Sequence, residues 1–106
     1  MWHPGKIMPS HPVYVVTLRF ADKSRAPAHM ADHNAWLQRG FEEGVFLLSG
    51  SLQPNAGGVI IAHGLARAAL ETRLTEDPFV SHGVVTTDIA EIAAGRTDPR
   101  LAFLTA

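Results

Sequence analysis

The chain contains no cysteine, which excludes disulfide stapling, thiolate catalysis and thiolate zinc sites. It is equally short of net charge. Nine Lys and Arg against ten Asp and Glu leave a formal charge of -1, too little basic field to hold a phosphate backbone, so nucleic acid is not an expected partner. No apolar run approaches the ~20 residues needed to cross a bilayer. The first residues also lack the apolar stretch of a secretory signal, and the expectation is a soluble, cytoplasmic protein without a membrane partner. Internal repeats, low-complexity segments and a nucleophilic serine motif are missing too. What remains is 106 residues, 46% apolar and 18% charged, enough for one domain with a single core.

Residues 1–12, MWHPGKIMPSHP, hold three of the seven prolines and no periodicity, and read as a flexible N-terminal arm. Residues 13–94 read as the domain and 95–106 as a poorly specified tail. Val13 to Phe20 alternates as a strand, with Tyr14, Val16, Leu18 and Phe20 on one face and Val13, Val15, Thr17 and Arg19 on the other. A helix follows, with Pro27 in its first turn and Gly44 as a left-handed cap after Glu43. On a helical wheel Met30, Leu37 and Phe41 share a narrow sector that reads as the core face, with His33 at its edge and His29 and Trp36 one step further round.

Val45 to Leu52 reads as a second strand, with Phe46, Leu48 and Leu52 on one side and Val45, Leu47, Ser49 and Ser51 on the other. Pro54 and Asn55 make a turn into a third strand, Val59 to His63, giving an antiparallel hairpin. Leu65 to Glu76 has helical spacing, Asp77-Pro78 stops it, and Val84 to Ile92 is the last strand. The order β-α-β-β-α-β predicts an α+β, ferredoxin-like fold: a four-stranded antiparallel sheet, first and third strands central, with two helices on one face. The uncovered face, bearing Val13, Val15, Leu47 and Val59, is too apolar to stay in water, and a second copy is its expected cover.

Several residues could carry chemistry. His29 and His33 at i, i+4 could share a metal, but no glutamate follows His29 and no third ligand is marked, so boundary histidines are the better reading and no metal is expected. Gly57-Gly58 precedes a strand rather than a helix, which speaks for hairpin entry rather than a phosphate loop. Arg19, Ser49 and Ser51 could orient an anionic ligand on the open sheet face. Asp77 is either a turn former or a functional carboxylate. His33, placed where packed core gives way to a cleft, can remove or deliver a proton.

The strand YVVTLRF, the stretch HNAWL from His33 to Leu37, GVFLLSG from Gly44 to Gly50, GGVIIA from Gly57 to Ala62, and DPF from Asp77 to Phe79 followed by Gly83 together resemble the YciI-like proteins, members of the dimeric α/β-barrel superfamily. The resemblance spans Tyr14 to Ile92. It implies a homodimer and assigns His33 and Asp77 as the active-site pair, while His29 matches nothing in the pattern. Relatives often have arginine where this chain has Asn55, so an anion-binding role for that loop is not carried over. The implied chemistry is lyase-like or isomerase-like acid-base catalysis on a small organic or aromatic molecule, without a cofactor, including dehydrochlorination of a chlorinated hydroxyquinol in one branch. Trp36, Arg19, Ser49 and Phe79 are the candidate substrate contacts. The competing expectation is a dimer that binds a small ligand without turning it over.

Overall fold

In the computed structural model, residues 12–105 are described; the expected arm, apart from Pro12, lies outside the described residues. Strands β1 (Pro12–Phe20), β2 (Phe46–Leu52), β3 (Gly57–His63) and β4 (Val85–Ala93) alternate with helices α1 (Ala26–Glu42), α2 (Arg67–Thr75) and a single turn, α3 (Pro78–Ser81). The sheet is antiparallel in the order β2-β3-β1-β4. β1 and β3 are therefore central, and the helices cover one face, as the alternation of β1 requires: Tyr14, Val16 and Leu18 are buried beneath them. Among the described residues no helix is long and apolar enough to cross a membrane.

The face that α1 buries differs from the one its hydrophobicity suggests. Ala26, His33, Trp36 and Gly40 are buried, whereas Met30 and Phe41 are exposed, so the packed stripe is rotated by roughly 70° at 100° per residue. The cause is close approach rather than side-chain greasiness. Gly40 lets the Phe46 ring lie against the helix backbone, and a Cβ there would sit 2.1 Å from a ring carbon. Trp36 packs on Phe46 at 5.1 Å between ring centroids, and its indole N–H donates to the Arg73 carbonyl at 3.0 Å, tying α1 to α2. α1 ends as expected at Gly44, whose φ of +75° an L side chain rarely adopts.

β2 also departs from simple alternation. Phe46 pairs with Ala62 but Leu48 pairs with Ile61, so one extra residue is bulged and every later side chain changes face. Ser49 and Ser51, opposite Ile60 and Gly58, consequently lie on the helix side of the sheet. Leu48 takes the place expected for Leu47 on the open face, where it is 56% exposed. Ile92 of β4, paired with Val13, is 45% exposed on the same face.

The C-terminal residues are better specified than their composition suggests. Pro99–Leu104 forms a short 3-10 helix capped by Asp98, which accepts the Arg100 N–H at 2.9 Å. Phe103 meets His63 edge-on at 5.3 Å between centroids, and Leu104 is buried.

Candidate functional site

α3 exists because of three consecutive residues. Asp77 holds an extended conformation and its Oδ1 accepts the Phe79 N–H at 3.0 Å, which is the N-cap geometry. Pro78 occupies the first helical position, where its missing N–H is no loss. Phe79 is then directed into the core beside α1. Sequence periodicity cannot detect a four-residue helix, and the sequence marks this place only as the stop and turn at Asp77-Pro78.

The same Asp77 Oδ1 accepts from His33 Nδ1 at 2.8 Å. The residues are 44 positions apart, and the contact forms because α3 packs on the middle of α1. Phe79 lies flat on the imidazole, 4.0 Å between centroids and 6° from parallel, fixing the ring plane. His33 is 9% exposed and Asp77 is 0% exposed. An ionised carboxylate can only accept, and Oδ1 already takes an amide N–H, so the bond places the His33 proton on Nδ1. Among the described residues, Nε2 has no hydrogen-bond partner and Asp77 Oδ2 is buried without one. The buried carboxylate thus meets one ring nitrogen at hydrogen-bond distance and fixes which way the imidazole faces.

His33 and Phe79 are also part of the wall of an open cavity of about 340 Å³. This is near the lower end of the ~300–1,000 Å³ typical of small-molecule sites. α1 contributes Met30 and Leu37 to it, and the sheet contributes Leu18, Ser49 and Ser51. Met30, which the helical wheel places on the core face, is instead an exposed residue of the cavity wall. The turn residue Asn55, at φ 51°, also lines the cavity; asparagine is among the few residues that tolerate this left-handed conformation.

Of the expected contacts, Phe79 stacks on His33 and Ser49 lines the same cavity, and two are not brought there. Arg19 lies on the opposite side of the sheet, exposed, one residue out of phase with Leu18, and the bulge in β2 has moved Ser49 and Ser51 away from it. The proposed Arg19-Ser49-Ser51 anion site on the open face therefore does not exist. Trp36 is buried behind His33, 6.0 Å between centroids, with its N–H already used, and it is not part of the cavity wall. His29 stacks on His82 at 4.2 Å instead of sharing a site with His33. Among the described residues no group of three His, Asp or Glu could hold a metal ion.

Comparison with known proteins places these elements in context. The model of the YCII-related domain family matches residues 13–92. No functionally curated protein matches. Among solved structures, the fold is shared with a 5-chloro-2-hydroxyhydroquinone dehydrochlorinase, TftG, from Burkholderia phenoliruptrix AC1100, in complex with 2,5-dihydroxybenzoquinone. The TM-score is 0.66 at 14% identity, covering 78% of this chain and 95% of that one. SnoaB, a cofactor-independent oxygenase from Streptomyces nogalater, is similar at a TM-score of 0.49 and 17% identity, covering 85% and 98% of the two chains.

Proposed function

Because the chain belongs to the YCII-related domain family, we propose that it is a small-molecule enzyme in which His33 and Asp77 work as an acid-base pair on a ligand held in the adjoining cavity. The observation that carries this reading is the 2.8 Å bond from His33 Nδ1 to a wholly buried carboxylate, at the wall of that cavity.

In this reading Nε2 takes a proton from an O–H or C–H of the ligand, and Asp77 keeps the ring oriented and stabilises the imidazolium that forms. In an elimination, the electron pair left behind expels an anion such as chloride, and His33 passes its proton to solvent. In an isomerisation, the proton returns to a different atom of the same molecule. Either reaction closes its balance of protons and electrons without a co-reactant, so no organic cofactor is part of the proposal. TftG, which shares the fold, is named as a dehydrochlorinase, and elimination from a small ring compound is the first reaction to test.

The active form is proposed to be a cytoplasmic homodimer. The open sheet face carries Val15, Leu48, Val59, Ile61 and Ile92, of which Leu48 and Ile92 are half exposed, and a second copy placed face to face would bury them. The test of function is a metabolite screen read by Trp fluorescence and then by product analysis. Turnover of at least one hit supports the enzyme, whereas saturable quenching without turnover of any hit leaves a ligand-binding dimer.

A further inference from the structure

The composition of the cavity specifies its occupant more narrowly than the catalytic reading does. Resting on that reading, we infer that the ligand is a flat ring compound bearing hydroxyl or keto groups and no carboxylate or phosphate, and that Gly58 determines this preference by leaving the sheet bare beneath the ring.

Gly58 sits mid-strand between Leu18 of β1 and Ser51 of β2, both of which face the cavity. Side chains directly opposite one another on neighbouring strands share a face, so a side chain at Gly58 would project into the same space. Nothing in the protein claims that space. An ideal Cβ at Gly58 would meet a single heavy atom within 4 Å outside its chain neighbours, the Gly50 carbonyl oxygen at 3.4 Å. Part of the cavity is therefore the volume of a missing side chain. The surface left is peptide backbone, against which a planar ring can lie.

Leu18, Met30, Leu37 and Phe79 supply the apolar surround. Polarity comes from hydroxyls and amides, those of Ser49, Ser51, Asn34 and Asn55, which match phenol and ketone oxygens. Among the described residues the cavity wall holds one titratable side chain, His33, and when that ring is protonated its charge is already matched by Asp77 at 2.8 Å. A carboxylate or phosphate would meet no unmatched cation there, while the part of it laid against Gly58 and the apolar wall would lose water uncompensated.

Calorimetric titration of the full chain with hydroquinone and naphthol, and with their carboxylated counterparts gentisate and hydroxynaphthoate, tests this. The parent phenols should bind saturably at millimolar concentrations or below, and each carboxylate about tenfold or more weakly than its parent. Gly58→Val should weaken phenol binding about tenfold or more by filling the floor. Gly58→Ala, which meets only an ordinary contact, should weaken it less and keeps the test available if the valine variant does not fold. Asn34→Arg, on an exposed helical position at the cavity wall, should remove most of the discrimination against the carboxylates. Equal or tighter binding of the carboxylates by the wild-type chain overturns the inference. So does undiminished phenol binding in both Gly58 variants, or no saturable binding of either phenol. Binding is read here without turnover. A chain that binds these phenols but turns over no ring compound of the metabolite screen would overturn the acid-base reading and leave the ligand class standing.

Discussion

Replacing Asp77 separates what its oxygen does for the fold from what its charge does for chemistry. Asp77 Oδ1 is the acceptor for both the Phe79 N–H and His33 Nδ1. Asp77→Asn can keep both bonds on its carbonyl oxygen, because the Phe79 amide needs an acceptor and so fixes which way the side-chain amide points. Its nitrogen would occupy the position of Oδ2, which has no partner among the described residues in any case. The cost should stay within about 1 kcal/mol, or about 4–8 °C in melting temperature for a domain of this size. Asp77→Ala removes the cap, about 1 kcal/mol, and leaves the buried His33 Nδ1–H without an acceptor, a further ~1–3 kcal/mol. That sum of about 2–4 kcal/mol corresponds to a fall of 10 °C or more. Turnover in Asp77→Asn should fall by about 10²-fold, toward the lower end of acid-base contributions, since the ring keeps its tautomer and loses only its counter-charge. Thermal melts of the three proteins check the first part and steady-state rates the second. An alanine variant that melts within about 2 °C of wild type, or an asparagine variant as unstable as the alanine one, would refute the reasoning.

Three other substitutions or conditions test separate parts of the structure. Gly40→Ala puts a methyl group where Phe46 already lies and should cost about 1–3 kcal/mol by overpacking, read as a lower denaturant midpoint; an unchanged midpoint would mean that helix and sheet are not so closely packed. Leu48→Asp, on the exposed open face, should convert a dimeric mass into a monomeric one by light scattering, and a dimer that persists places the interface elsewhere. The Arg100 guanidinium holds the Asp98 carboxyl below the usual carboxylate range, mainly through their side-chain hydrogen bond. Because the folded value is depressed, the cap contributes fully above the ordinary carboxylate value and fades as pH falls through the depressed one. Amide exchange at Arg100 and Leu101 should therefore quicken in acid relative to β1, and a constant ratio would contradict this.

The β-order, the hairpin and the core face of β1 could be read from sequence because period-2 alternation and turn residues report directly on local backbone. The faces of α1 and β2 could not. At Gly40 the helix meets the sheet through the absence of a side chain, which a hydrophobic pattern counts as nothing. In β2 a single bulged residue between Phe46 and Leu48 inverts the alternation without leaving a mark in composition, and this is why simple alternation puts Ser49 on the open face beside Arg19. The approach of His33 to Asp77 followed from the family resemblance together with the topology, whereas the role of Phe79 as the plate beneath the imidazole follows only from coordinates. Trp36 reads as a cleft residue because the helical wheel sets it on the same side as His33, but it is buried and its N–H is consumed by the Arg73 carbonyl.

The most direct test of the acid-base pair is the turnover of a screened substrate by wild type and by His33→Ala in parallel, with melting curves to verify the fold and calorimetry to verify that the substrate still binds. The expected result is a loss of about 10²–10⁴-fold in turnover with binding changed by less than about tenfold. Turnover retained within about threefold by a folded, substrate-binding His33→Ala would contradict the assignment of His33 as the proton-transfer group.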